Sequence, residues 1–295
     1  MQNRLVYLFA RINLVLMLAL FLTAGAVNAQ GFPQGLIGLS SADVGVLYTI
    51  SPNTGQATPF VTTDGETSIV GLSYIEGTLY GVDLEDYPGS PIPDEFTIGS
   101  IATNGVITFL GDQNGSSNWW GLASDDCGEN ILYSTDEDNE SILTVQFPNG
   151  NTQTIGVGSG LEFAGLAYDD ANEILYGLNV EGNLYTISTT TGDTSLVGAT
   201  GVSEPGNNMG LAYDERNEIL YANNSIELYS LNVNTGASTL IGPNNADGEQ
   251  IDGLAWLDTC GPSPVPTLSE WGLIAMAGVL GVVGFMVMRR RQVAA

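Results

Sequence analysis

The sequence of 295 residues contains no lysine and no histidine, and its six basic residues are all arginines. The lack of histidine removes the commonest general base, the Ser-His-Asp arrangement and histidine metal ligands. All 33 Asp and Glu lie between two apolar ends, where Arg216 is the single basic residue, so this body carries 33 minus 1, or about 32, negative charges. Such a field repels polyanions, and nucleic acid is therefore excluded as a partner.

The strong acidity allows two interpretations. A surface rich in Asp and Glu stays solvated in a salty exterior, where repulsion between charges is screened over about 10 Å or less. The same carboxylates could instead bind divalent cations. Composition favours the solvated surface, and calcium is the one cofactor that it suggests.

Both ends of the chain indicate export. Residues 1–29 combine two arginines with an apolar run and small residues at the end, which is typical of a cleaved signal peptide; a retained N-terminal anchor is the alternative. Residues 271–288 contain no charge and would form a helix of about 27 Å, enough for a bilayer core of about 30 Å. The arginines that follow place residues 289–295 in the cytoplasm and the body, residues 30–260, outside.

A short motif lies between the body and this apolar segment. Residues 261–270 hold a Gly/Pro linker and the start of the sequence VPTLSEWG. The motif, the apolar segment and the terminal arginines together resemble the IPTL-CTERM sorting signal, although Val265 stands where the family has isoleucine. The resemblance implies an exosortase-type sorting enzyme as partner and processing that releases the body or moves it to the cell surface; a plain membrane anchor is the alternative. The motif residues are Pro266, Thr267, Leu268, Ser269, Glu270, Trp271 and Gly272.

The body is built from a recurring unit, of which residues 165–198 are the clearest copy. The glycine of its first strand recurs at spacings of 50, 44, 45 and 43 residues. A period of this length, with short strands between turn residues, is typical of propeller blades. We therefore predict an all-β, five-bladed β-propeller over residues 30–260. The recurring glycines are Gly71, Gly121, Gly165, Gly210 and Gly253.

The two ends of the body predict how the ring closes. Residues 35–62 supply only a second, third and fourth strand, whereas residues 251–256 supply a first strand without successors. Joined in one blade, they protect sheet edges and tie the ends of the body together. The units resemble the YVTN-like and quinoprotein-like propellers of exported bacterial proteins, a resemblance that implies the fold and no particular chemistry.

Two sets of residues are candidates for binding. Trp119 and Trp120 follow a polar loop, and exposed tryptophan can stack on a sugar ring; the matching residues of other copies are mostly apolar and favour core packing of at least one of the two. Asp136, Asp138 and Glu140 alternate in one loop. They could present several oxygens to calcium, or simply form a solvated loop, which is the favoured interpretation.

Other acids and the two cysteines lie where first strands end. Four first strands are followed by acids, at Asp125, Asp169, Asp214 and Asp258. These carboxylates could surround a cation, but Asp at a hairpin turn commonly bonds its own backbone, and turn formation is favoured. Cys127 and Cys260 leave first strands at the same face. Export permits a disulfide between them, yet their blades are not neighbours in a ring of five, so the bond requires loops that reach across the channel mouth.

No pair among the 33 acids stands out as catalytic, so no catalytic residue is predicted. The sequence predicts an exported or surface-displayed, non-enzymatic propeller that binds an extracellular polysaccharide or protein. Two alternatives stay open, namely a carboxylate- or calcium-dependent hydrolase and a matrix or adhesion component crosslinked by calcium.

Overall fold

The computed structural model describes the following residues: 31–40, 45–64, 69–75, 77–83, 97–110, 119–125, 131–136, 141–146, 151–156, 160–202, 209–244 and 250–258. The predicted signal peptide, linker, sorting motif, membrane helix and cytoplasmic tail lie outside these residues, so their boundaries stay predictions. In the described part of the chain, no helix is long and apolar enough to span a bilayer.

The described residues form twenty strands, arranged in five antiparallel sheets of four strands each. In chain order the strands are β1 (Gly35–Ser40), β2 (Val46–Ile50), β3 (Ala57–Thr62), β4 (Ile69–Ile75), β5 (Thr78–Asp83), β6 (Thr97–Ile101), β7 (Ile107–Phe109), β8 (Trp119–Asp125), β9 (Ile131–Asp136), β10 (Ser141–Gln146), β11 (Asn151–Gly156), β12 (Phe163–Asp169), β13 (Ile174–Asn179), β14 (Asn183–Ile187), β15 (Thr194–Ala199), β16 (Leu211–Asp214), β17 (Ile219–Asn223), β18 (Glu227–Leu231), β19 (Ser238–Pro243) and β20 (Ile251–Leu257).

Each sheet is one propeller blade, so the predicted five-bladed, all-β architecture is confirmed. Blade 1 contains β20, β1, β2 and β3, and blades 2 to 5 contain β4–β7, β8–β11, β12–β15 and β16–β19. The first strands β20, β4, β8, β12 and β16 contact one another around the ring. They are the inner strands, and the fourth strand of each blade forms its outer edge.

Blade 1 confirms the predicted closure, because β20 from the C-terminal end of the body pairs with β1 from the N-terminal end. The two strands are antiparallel, with Leu36 opposite Trp256 and Gly38 opposite Leu254. Every blade therefore has a complete set of four strands, and the edge that an orphan first strand would expose is paired.

The core lies between adjacent blades and is lined by a leucine that follows each recurring glycine. A leucine buried this fully contributes about 1.5–3 kcal/mol relative to an exposed one. All five have at most 2% of their surface exposed, and they are Leu72, Leu122, Leu166, Leu211 and Leu254.

The outer strands carry no charged residue, and their geometry protects them instead. The pairing of the third and fourth strands shifts register in blades 1, 3, 4 and 5, which leaves one extra apolar residue in each outer strand. Such bulges interrupt the edge that another strand would pair with. The extra residues pack against the core, and they are Phe60, Ile155, Val197 and Ile241.

Candidate functional site

The first strands begin at one face of the ring and end at the other. We call the starting side the connection face; it carries the strand starts Ile69, Trp119, Phe163 and Ile251. We call the other side the turn face; it carries the first hairpin turns, after Ile75, Asp125, Asp169 and Asp214, and the end of the closing strand at Leu257. Candidate residues from the sequence fall on both faces.

On the turn face, two aspartates accept hydrogen bonds from residues of their own hairpin turns. Asp169 is buried and accepts hydrogen bonds from the backbone N of Asn172 at 2.9 Å and from its Nδ2 at 2.9 and 3.1 Å. Asp214 is buried in the same way and accepts bonds from the backbone N of Asn217 at 3.1 Å and its Nδ2 at 2.7 Å. Carboxylates held by their own turns do not converge on a cation, and this geometry supports the turn interpretation.

The third acid of this face is part of an ion pair. Arg216 Nη2 lies 3.1 Å from Asp258 Oδ1. The pair joins the first turn of blade 5 to the end of the closing strand β20. Its arginine is largely solvated, so it contributes little to stability.

Aromatic pairs connect neighbouring blades on the turn face. Ring centroids are 5.4 Å apart for Tyr133 and Tyr168 and 6.0 Å apart for Tyr176 and Tyr213. Tyr221 stacks on Trp256 at 5.7 Å with nearly parallel rings. Burial raises the pKa of Tyr168, and the neighbouring Tyr133 and Asp125 raise it further. These tyrosines pack between blades, which is a structural role.

On the connection face, the structure describes the side chain of only one of the two candidate tryptophans. The residues that match Trp119 are Ile69, Phe163 and Ile251, and all three are buried; the side chain of Trp119 is outside the described part. Trp120 is half-buried, although its described counterparts Ala164, Met209 and Asp252 are buried. Trp120 therefore departs from the pattern of the repeat and is the better candidate for a ligand contact.

The proposed calcium loop is only partly covered by the structure. Asp136 ends β9 and lies opposite Ser141 of β10, while Asp138 and Glu140 lie outside the described residues. In the ranges that are described, no group of three or more Cys, Asp or Glu side chains could hold a metal ion. The calcium site at Asp136, Asp138 and Glu140 stays a prediction, as does the disulfide, because Cys127 and Cys260 also lie outside the described residues.

Two polar bridges between blades were not predicted from the sequence. Thr135 Oγ1 accepts a hydrogen bond from Gly121 N at 3.1 Å and donates one to Phe163 O of the next blade at 3.3 Å. Asn223 makes the same connection, because its Oδ1 accepts from Gly210 N at 2.6 Å and its Nδ2 donates to Ile251 O. The corresponding residues in other blades are apolar, and they are Leu39, Val82 and Leu178.

A buried polar cluster adjoins the second bridge, at the junction of blades 5 and 1. Asp252 is 0% exposed and accepts a hydrogen bond from Ser225 Oγ at 3.1 Å. Asn244 is also buried, and its Nδ2 lies 3.4 Å from Ser225 O. The sequence offered one signal for this cluster, namely an aspartate inside a strand where the other copies carry uncharged residues.

Comparison with known proteins agrees with this architecture. A family model for the IPTL-CTERM motif matches residues 263–291, which confirms the sorting tail typical of exported, membrane-associated proteins. A chain in the crystal structure of a nidogen/laminin complex is similar, with 16% identity and a TM-score of 0.53 over 76% of this chain and 99% of that chain. At this identity the similarity shows the propeller fold alone.

Two enzymes are similar at lower scores. The glutaminyl cyclase of Myxococcus xanthus has 22% identity and a TM-score of 0.43 over 61% of this chain and 72% of its own. Virginiamycin B lyase from Staphylococcus aureus has 14% identity and a TM-score of 0.41 over 68% of this chain and 66% of its own. No protein with a curated description matches the sequence.

Proposed function

We propose that this chain is an exported propeller that binds an extracellular ligand while attached to, or after release from, the cell surface. The observation that carries the proposal is the IPTL-CTERM motif at residues 263–291, which follows a closed propeller body. A sorting tail addresses the protein to the exterior, and the propeller gives it a rigid ring whose loops differ from blade to blade. An exosortase-type enzyme is the proposed processing partner.

The connection face is the proposed binding surface, with Trp120 as its central contact. Trp120 is half-buried where other blades bury Ala164 and Met209, so part of this residue stays accessible to a ligand. A tryptophan ring offers a large, flat apolar surface, and it loses little conformational entropy on binding because only two side-chain torsions are fixed. This chemistry suits the apolar face of a sugar ring, and a polysaccharide is the favoured ligand.

The test is a glycan and protein binding screen with the mature protein recovered from the producing cells. We expect binding to a polysaccharide, and we expect Trp120→Ala to weaken it at least about tenfold, because truncation of a central aromatic contact typically costs this much. Trp120→Phe should retain most of the affinity. Leu240→Ala, an exposed residue of the outer strand β19, is the control and should bind normally.

Other outcomes of the screen would change parts of this proposal. Capture of a protein with no glycan signal would assign the surface to protein recognition instead. Equal glycan binding by Trp120→Ala and the parent chain would remove the connection-face site. An intact C-terminus in the mature protein would contradict processing of the tail while leaving the binding proposal standing.

A further inference from the structure

The junction between blades 5 and 1 contains a buried, oxygen-lined cluster that ligand binding through Trp120 does not use. Its centre is Asp252, which lies in β20 and is 0% exposed. Ser225 is equally buried and has a φ of 69°, a left-handed conformation that residues other than glycine rarely adopt. A strained backbone of this kind persists only where its surroundings hold it, and it marks functional positions in many proteins.

Asn244 adds a buried amide oxygen to the cluster. Asn244 is 1% exposed, and within the part of the chain that the structure describes its Oδ1 has no hydrogen-bond partner. Its Nδ2 lies 3.4 Å from Ser225 O, and Ser225 Oγ donates to Asp252 at 3.1 Å. A buried amide oxygen without a partner costs about 1–3 kcal/mol, so the site is expected to receive a group from outside the chain.

The fold itself does not require a carboxylate at this place. The equivalent residues of the other blades include Trp120, Ala164 and Met209, none of which is charged. The chain has no lysine and no histidine. Arg216, the one basic residue within the described ranges, lies against Asp258 at the opposite end of β20. Among the five inner strands, a carboxylate at this position is thus specific to the junction of blades 5 and 1.

We propose that this cluster binds one small, oxygen-seeking cation, with oxygens of Asp252, Asn244 and Ser225 as its protein ligands. Hard cations prefer carboxylate, amide and carbonyl oxygens, and these are the groups present. The ion would join β20 to the loop regions of blade 5, which is where the ring closes. Its binding should therefore stabilise the closed propeller.

The test measures thermal midpoints of the mature protein in chloride salts of sodium, calcium and choline at equal ionic strength. Choline screens charge, but its methylated ammonium cannot take oxygen ligands at the short distances of a metal ion. For an ion present at 100 times its Kd, we expect the midpoint in sodium or calcium to exceed that in choline by at least about 5 °C. Asp252→Asn and Asn244→Leu should remove this difference. Metal analysis after dialysis distinguishes the ions, because a calcium site should retain one equivalent per chain.

Two control variants locate the ion. Asp169→Asn changes another buried carboxylate and should keep the difference between salts. Asp138→Asn tests the loop between β9 and β10, and loss of the response there alone would move the ion to that loop. Equal midpoints of the parent chain in all three salts would overturn the proposal and leave a buried water or a protonated Asp252 in its place. Full retention of the salt response by Asp252→Asn would overturn it as well.

Discussion

The recurring glycines Gly165 and Gly210 lie against backbone atoms of the next blade. A Cβ built on Gly165 would lie 2.8 Å from Met209 O and 2.9 Å from Leu211 N of the next blade. On Gly210 it would lie 2.7 Å from Leu254 N. These neighbours are backbone atoms of the adjacent inner strand, and they cannot rotate away. The glycines thus allow the inner strands to approach closely enough to complete a ring of five.

Gly165→Ala should therefore destabilise the propeller by about 1–3 kcal/mol, the usual cost of forcing extra volume into a packed interior. Chemical denaturation of the mature protein measures the change. Gly31→Ala is the matched control, because a Cβ there has no atom within 4 Å, and it should leave the midpoint unchanged. A Gly165→Ala variant as stable as the Gly31→Ala variant would show that the inner strands can separate without cost.

At the scale of elements, the closing strand β20 differs from the other inner strands because its blade partners come from the opposite end of the chain. Leu254 of β20 is buried in a cluster with Tyr221 of blade 5 and Leu36 of blade 1. This strand therefore supports two blades at once. Loss of its packing should affect the ring as a whole and not one blade.

We expect Leu254→Ala to cost about 2–5 kcal/mol, as core leucine truncations do. Unfolding should remain a single transition, with coincident midpoints from circular dichroism and from tryptophan fluorescence. Leu240→Ala on the exposed outer strand β19 should cost almost nothing. A separate early transition in Leu254→Ala would mean that blade 1 opens while the remaining blades stay folded.

The repeat and its closure could be predicted from the sequence because their signals are local. Glycine, leucine and Leu-Tyr pairs recur at fixed places, and turn residues separate them. The bridges made by Thr135 and Asn223 could not be predicted, because these residues occupy places where other blades carry leucine or valine. Their partners Phe163 and Ile251 belong to the next blade, so the hydrogen bonds exist only once the ring is assembled.

The candidate sites differ in the same way, because contacts within one hairpin could be predicted and contacts between distant segments could not. Turn formation by Asp169 and Asp214 follows from residues within the same hairpin, and the structure supports it. The cluster around Asp252 unites residues from β20, from the β17–β18 turn and from the end of β19. Only the fold brings these three segments together, which is why a single aspartate in a strand gave so weak a signal.

At the scale of the whole molecule, burial of tyrosine between blades gives the propeller a dependence on alkaline pH. Burial is the main cause that raises the pKa of Tyr168, Tyr176, Tyr213 and Tyr221. Burial together with a hydrogen bond to Glu227 raises the pKa of Tyr229 to about 12. The folded protein therefore keeps these protons at a pH where the unfolded chain, with an ordinary tyrosine pKa of 10.0, releases them.

Because the pKa values of these tyrosines are higher in the folded protein than in the unfolded chain, alkaline pH favours unfolding. Stability from these tyrosines is complete below pH 10 and is lost as the pH rises from about 10 through about 12, because unfolding then releases protons. Thermal midpoints should fall steeply across this range, and Tyr213→Phe should make the fall shallower by removing one titrating group. Added salt screens repulsion among surface acids but not the burial of tyrosine, so the slope should persist at high salt. A flat profile above pH 10, or a slope that salt abolishes, would assign alkaline unfolding to surface charge and not to the tyrosines between the blades.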